Sequence, residues 1–382
     1  MTENAGVVAG EKLRALRVAL VHDYLNQRGG AEKVVEVFHR MFPDAPVFTS
    51  VYDAQAMGSF WRGVDVRTSF MQKLTPRLGS AKALLPLYPV AFEGFDLAGF
   101  DLVLSSSSTF AKGVITRPET CHVCYCYTPT RFAWMYHEYT GRQSLPPGSR
   151  LVLPLVVAPL RTWDFVAAQR PDQMIGISRA VVARIRKYYR REAAVVEPPV
   201  DVAAFHPADS VDDYFLVVAR LVAYKRIDLA VQACTSLGVR LRVVGDGPEL
   251  AKLKREAGST VEFLGRLEDE EVRGLMARCR ALLWPGEEDF GLAPVEAQAA
   301  GRPVIAYGAG GALETVTDGE TGILFRPQNV DALMDAIRNF DDARFDRRAL
   351  RKNAERFDTR NFVGRMTAQL EAAVAAHRGQ AG

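Results

Sequence analysis

Apolar residues in this chain come as short unbroken runs, separated by longer stretches where apolar and polar positions recur at helical spacing. The first run spans 16–21; a Gly-containing turn follows, and 31–41 then carries a helical pattern. Runs at 47–51, 101–105, 123–127 and 173–177 continue the series. A run without alternation suits a strand covered on both faces, and strands alternating with helices predict a parallel sheet flanked by helices. Glu197-Pro198-Pro199-Val200-Asp201 interrupts this order, because consecutive prolines hold the backbone extended. The pattern then restarts: strand at 214–219, helix at 226–235, strand at 240–244, with further apolar runs at 261–264, 281–284, 303–306 and 322–325. Two doubly wound, Rossmann-like α/β domains are predicted, at 15–199 and 200–358, facing each other across a cleft. In open parallel sheets ligands collect beyond the carboxyl ends of the strands, so that cleft is the expected site.

Length agrees with this division, since 382 residues exceed one ordinary core and fit two domains of roughly 150–200 residues. At 48% apolar and 24% charged the composition is that of a soluble globular protein. A formal net charge of +3 is too small to argue for nucleic acid, and no basic stripe is interleaved with aromatics. Residues 1–14 are expected to be disordered. No secretory signal is visible, and the longest apolar stretch, 151–160, is about half a membrane span. A cytoplasmic location is the expectation.

The five cysteines, an odd count, fit a reducing compartment. Cys121-His122-Val123-Cys124-Tyr125-Cys126 invites a metal reading, but Cys234 and Cys279 supply no second CxxC. The run reads better as a buried strand, and no metal ligand is assigned.

Chemistry concentrates in Glu288-Asp289-Phe290-Gly291-Leu292-Ala293-Pro294-Val295-Glu296, followed by Gly310-Gly311. Pro294 suits the first turn of a helix. The N–H groups of Gly291, Leu292 and Ala293 would then point outward at the positive end of the helix dipole, where an anion can sit. Glu288 and Glu296 could grip hydroxyls on either side of it. An anion flanked by hydroxyls describes a nucleotide sugar. Arg220 and Lys225, one ending a strand and one starting a helix, can clamp a diphosphate and neutralise it as a leaving group, while Arg226 reads as a solvated helix start. Gly29 and Gly30 let the backbone approach a sugar phosphate or an acceptor. Asp23, beside His22 and Tyr24, could orient an acceptor hydroxyl or act as its base, or be a satisfied loop carboxylate. Residues 67–92 lack acids and mix Arg67, Lys73, Arg77 and Lys82 with Phe70, Met71, Leu74, Leu84, Leu85, Leu87 and Tyr88. They suit either an anionic membrane surface or a core helix with a basic outer face.

Together these motifs resemble the Glu-x7-Glu signature of the retaining glycosyltransferases of family 4, which have the GT-B fold. Tyr127-Thr128-Pro129-Thr130-Arg131-Phe132-Ala133-Trp134 resembles the His-Thr-Pro-x-Arg-x-x-Trp motif of its O-antigen mannosyltransferase-like members. The resemblance implies a hexosyl transfer from a GDP-mannose-like or UDP-sugar donor to a glycan or polyprenyl-diphosphate-linked acceptor, with retention and without metal or other cofactor. It implies that Gly245, Gly265 and Arg266 lie near the nucleotide, that the Phe290–Ala293 amides hold sugar and phosphate, and that Glu296 holds the ribose. A helix at 360–378 is implied to cross back onto the first domain. Where the family has His near the reacting sugar, this chain has Tyr127, and neither His122 nor His137 is an obvious substitute. That departure motivates a second reading, a non-catalytic sugar-nucleotide-binding partner of another transferase. A nucleotide-sugar epimerase of the same fold is a further one. The missing GxGxxG fingerprint disfavours an NAD oxidoreductase.

Overall fold

The computed structural model describes residues 8–78, 81–136 and 149–380. The chain forms two compact units, Met1–Pro199 with Arg360–Gly382, and Val200–Thr359. The boundary falls at the Pro198-Pro199 pair.

The first unit holds a seven-stranded parallel sheet: β1 (Val18–His22), β2 (Val47–Thr49), β3 (Val66–Thr68), β4 (Leu102–Ser107), β5 (Cys121–Cys126), β6 (Gln173–Gly176) and β7 (Ala194–Val195). Their order is β3-β2-β1-β4-β5-β6-β7. The central strands β1, β4 and β5 are buried along their whole length, as runs without alternation require. The cysteines of β5 are core residues. The edge strands β3 and β7 left no apolar run to read: β3 is largely exposed and β7 has two residues. Residues 8–14 are ordered, against expectation. Leu13 is buried in the short helix Glu11–Arg14, and the Ala9 amide donates to Met41 O at 3.2 Å. The helix Thr359–Gln380 returns to this unit, where the Phe362 ring packs on Phe38 at 5.6 Å and Tyr125 at 5.8 Å.

The second unit holds a six-stranded parallel sheet: β8 (Phe215–Val218), β9 (Leu241–Val244), β10 (Val261–Gly265), β11 (Leu282–Trp284), β12 (Val304–Tyr307) and β13 (Gly322–Phe325). The order is β10-β9-β8-β11-β12-β13. Phe215, Val217, Leu229, Val243, Leu283 and Ile305 form part of its core. Each sheet reverses its winding once, between β1 and β4 in the first unit and between β8 and β11 in the second. The loops leaving these strands at their carboxyl ends diverge there, which opens a crevice.

Candidate active site

In the second unit the loop after β8 carries Arg220 and Lys225, and the loop after β11 carries Glu288. Lys225 Nζ lies 2.8 Å from Glu288 Oε1, with side chains 16% and 15% exposed. The contact is close but poorly directed, because Glu288 Oε1 receives no hydrogen bond among the described residues. A buried carboxylate oxygen with unfilled capacity can accept a hydrogen bond from a ligand hydroxyl. The ammonium also sits 4.9 Å from the centre of the Trp284 ring, a cation–π contact.

Glycines let these loops meet. A Cβ on Gly286 would stand 2.7 Å from Lys225 Cα, and one on Gly311 would stand 2.2 Å from Phe290 Cα. The Gly311 amide donates to Glu288 O at 2.8 Å, so the Gly-Gly turn after β12 seats the Glu288 loop. Gly291, at φ 91°, starts the helix Leu292–Ala299. Pro294 is its third residue, and the first-turn amides have no intrahelical acceptor. The Phe290 ring packs on Phe357 at 5.3 Å, so this residue offers a ligand its main chain only. Glu296 is half-buried one turn along the same helix.

Around this pair the remaining residues of the unit divide. Gly245 adopts φ 129°, and a Cβ there would come 1.9 Å from Ala219 O. Leu221 N donates to Asp246 O at 2.9 Å. The 245–249 turn is thus stitched to the loop presenting the exposed Arg220, and Gly245 is required for that packing. Gly265, at φ 69° with open space beside it, and the exposed Arg266 end β10, two strands from β8. Arg226 is not a solvated helix start: it adopts φ 51° and pairs with Asp228 at 3.1 Å, both about a quarter exposed.

At the corresponding place in the first unit, charge is internally satisfied. The Asp23 carboxylate accepts from Ser108 N and Oγ, Thr109 N, Phe110 N and Ala111 N at 2.6–2.9 Å, and the residue is buried. It closes the turn after β4, and the satisfied-carboxylate reading describes its surroundings. Tyr127 OH donates to Ala31 O at 3.0 Å and lies 2.8 Å from Ser106 Oγ. Burial pushes its hydroxyl well above the usual phenol range. His22 Nδ1 lies 3.1 Å from Ser106 Oγ, and His22 Nε2 lies 3.8 Å from Glu32. Gly29 and Gly30 begin the helix Gly30–Met41. Glu32 folds back over them, since a Cβ on Gly29 would sit 2.8 Å from Glu32 Oε2. The place an anion would take holds the chain's own carboxylate.

Thr130 and Trp134 serve a partner that pattern reading missed. Asp164, in the helix Ser149–Ala167, accepts from Thr130 Oγ1 at 2.6 Å, Trp134 Nε1 at 2.7 Å and Tyr189 OH at 2.8 Å. It also pairs with the buried Lys112 ammonium at 2.6 Å. Burial by itself lowers the Lys112 pKa, but Asp164 outweighs it and the net direction is up. The sequence signal was Lys112 inside the apolar segment 110–115 and Asp164 as the sole carboxylate of 149–167. His122 is buried against Ser105 Oγ at 2.8 Å, and burial lowers its pKa to about 4. His137 lies outside the described residues.

Within 67–92, Met71, Leu84 and Tyr88 are core, whereas Phe70 and Val90 are 44% and 58% exposed. Arg67 pairs with Asp65. The side chains of Arg77 and Lys82 lie outside the described residues. Among the described residues no helix is long and apolar enough to cross a membrane.

Residues 203–357, nearly the whole second unit, match the family model of glycosyl transferases group 1. An uncharacterized glycosyltransferase of Methanocaldococcus jannaschii is 27% identical over 196 residues, covering 50% of this chain and 56% of that protein. A glycogen synthase of Mycobacterium tuberculosis is 32% identical over 181 residues, 43% of each. The chain thus spans about half the length, or less, of these curated relatives. Two solved structures match nearly end to end. Anabaena HepE in complex with UDP and glucose has a TM-score of 0.68 at 19% identity, covering 93% of this chain and 99% of that one. Sucrose-phosphate synthase of Thermosynechococcus elongatus has a TM-score of 0.71 at 18% identity, covering 94% and 99%. At these identities the likeness speaks for the fold, and the fold is GT-B.

Proposed function

We propose that this protein is a retaining hexosyltransferase that takes its sugar from a nucleoside-diphosphate donor. The observation carrying the reading is the Lys225–Glu288 contact at the crossover of the second sheet, beside the start of the helix Leu292–Ala299. A diphosphate there would meet a lysine, the Arg220 loop and helix amides. A sugar hydroxyl would fill the vacant direction on Glu288 Oε1. The bond between the anomeric carbon and the diphosphate oxygen breaks as the acceptor oxygen bonds the same face, and the departing diphosphate takes the acceptor proton. Arg220 and Lys225 stabilise the charge that builds on the diphosphate. Glu296 is assigned to the ribose, and Gly265 and Arg266 to the base. Asp23 is assigned no base role, because both its oxygens are occupied.

Complexes of Anabaena HepE with UDP and with UDP-glucose support a nucleotide-sugar donor. UDP-glucose and GDP-mannose therefore head the donor panel. The acceptor is assigned as a glycan or a polyprenyl-diphosphate-linked sugar, with the exposed Phe70 and Val90 meeting the inner face of an anionic membrane. A second reading, a non-catalytic sugar-nucleotide-binding partner, is favoured by one observation: Tyr127 OH is buried against Ala31 O and not directed at a ligand.

A thermal-shift screen of nucleoside-diphosphate sugars, followed by a transfer assay with the best donor, tests the proposal. Stabilisation lost in both Lys225→Ala and Glu296→Ala, together with product of retained configuration, is expected. An unchanged shift in both variants puts the donor elsewhere, and binding without transfer to any acceptor favours the second reading.

A further inference from the structure

At the amino ends of the first sheet's strands, where β5 and β6 begin, three ligand-type side chains from distant parts of the chain converge. Cys121 is the first residue of β5, Asp172 immediately precedes β6, and His377 lies near the end of the helix Thr359–Gln380. One donor atom from each falls within 4.8 Å of the other two. We propose that Cys121, Asp172 and His377 form a zinc site that clasps the C-terminal helix to the sheet. This site stands apart from the sugar-nucleotide reading and does not rest on it.

Three features of the geometry carry the assignment. His377 Nδ1 lies 3.4 Å from Asp172 Oδ1, long for a direct hydrogen bond. That spacing is the edge of a tetrahedral shell, about 3.3 Å between atoms each ~2.0–2.1 Å from a zinc ion. The outer contacts are also in place. Asp172 Oδ2 accepts the His122 amide at 2.7 Å, and the Asp172 amide donates to His122 O at 2.8 Å. These hydrogen bonds hold the carboxylate in place, as the outer partners of a metal ligand do. Arg191 donates to the main-chain oxygen of Asp172 at 3.2 Å. Finally, His377 Nε2 is buried and has no hydrogen-bond partner among the described residues, so a direct His–Asp pair leaves the imidazole incompletely satisfied.

The ligand set selects the ion. A thiolate, an imidazole and a carboxylate suit borderline zinc, whereas magnesium and calcium take oxygen ligands. Three protein ligands leave a fourth position for water. Burial pushes the Cys121 thiol up to about 12, so without an ion it is a core thiol that does not act as a nucleophile. Binding replaces its proton with the metal and releases that proton to solvent.

Cobalt(II) is the probe, because it adopts the same geometry and reports a bound thiolate by intense near-ultraviolet charge-transfer absorption. Chelator-treated full-length protein should develop this absorption to saturation at one equivalent, and zinc should abolish it. Cys121→Ser and His377→Gln should each remove the absorption, and Asp172→Asn should weaken binding. Zinc should raise the melting temperature of the native chain but not of Cys121→Ser. His377→Gln changes a half-buried position near a helix end, so its fold, checked by far-ultraviolet circular dichroism, should persist. Absence of the absorption in the native chain would overturn the proposal. So would its survival in Cys121→Ser, which would place the ion on another thiol, or its undiminished survival in His377→Gln, which would show that the imidazole is not a ligand.

Discussion

Removing the Lys225 ammonium gives the sharpest test of the donor site, because its consequence can be worked through in numbers. A hydrogen bond to a charged partner is worth about 1.5–3 kcal/mol, so Lys225→Ala should weaken diphosphate binding by roughly 10- to 150-fold. A donor held at a hundred times its Kd stabilises the native chain by about 2.7 kcal/mol. After a tenfold loss the same concentration gives about 1.4 kcal/mol, and after a hundredfold loss about 0.4 kcal/mol. For a unit of this size 1 kcal/mol moves Tm by roughly 2–4 °C, so from about half to nearly all of a shift of several degrees should vanish. Glu288, 15% exposed and no longer facing the ammonium, then adds repulsion toward the phosphates. The assay is thermal shift with the nucleoside diphosphate at fixed concentration, with the unphosphorylated nucleoside as control. The nucleoside meets no ammonium in this picture, so whatever shift it gives should be the same in both proteins. Raising the salt should reduce the diphosphate shift of the native chain more than that of the variant. Equal losses for nucleoside and diphosphate would mean that Lys225 shapes the fold of the site. No loss for either would refute the clamp.

Three other outcomes follow from the packing. Asp164→Asn leaves the Lys112 ammonium, 1% exposed, without its counter-charge; the expected cost is about 3–5 kcal/mol in urea unfolding. Adding Lys112→Met should recover at least about 1 kcal/mol of it, and strict additivity would deny the coupling. Gly311→Ala drives a Cβ to 2.2 Å from Phe290 Cα, so it should cost about 1–3 kcal/mol and reduce donor binding by displacing the Glu288 loop. Donor binding at native strength in Gly311→Ala would break the link between that turn and the site. His122, lowered to about 4 by burial, is neutral in the folded chain at neutral pH. The unfolded chain takes up its proton first, near pH ~6.5. Stability is therefore complete above that value and falls as pH drops toward 4, by about 3 kcal/mol if the whole shift is expressed. His122→Gln should flatten that part of the stability profile, and an unchanged slope would assign the acid sensitivity to other groups.

How much of this was legible in the sequence depended on whether a residue's role is local. Central strands buried on both faces announce themselves as unbroken apolar runs, so β1, β4, β5 and β8 were readable, while the short edge strands β3 and β7 were not. Glu288, Glu296 and the Pro294 helix start were readable because caps and turns are set by near neighbours. That Lys225 would touch Glu288 was not readable, since only the strand order brings β8 beside β11. Thr130 and Trp134 were visible as a motif, but their partner Asp164 was not, because nothing in an apolar helix says which buried donor its lone carboxylate will meet. Asp23 looked like a candidate base for the same reason.

With side chains in place, the two crossovers differ in what they leave unsatisfied. At the carboxyl ends of β1, β4 and β5, Asp23 and the Lys112–Asp164 pair are satisfied within the chain, and Glu32 lies back over its own helix start. Among the described residues, the buried polar atoms without partners there are hydroxyls, Ser107 Oγ, Thr109 Oγ1 and Thr128 Oγ1, and one imidazole nitrogen, His22 Nε2. At the ends of β8 and β11 the unfilled capacity, among the described residues, belongs to the neutral Trp284 Nε1 and to a carboxylate oxygen of Glu288, the latter next to an ammonium and a helix start. A charged ligand gains most where the protein's own charges are incompletely matched, and a neutral polyol gains where hydroxyls lack partners. By that criterion we assign the proposed diphosphate to the second unit and the proposed sugar acceptor to the first.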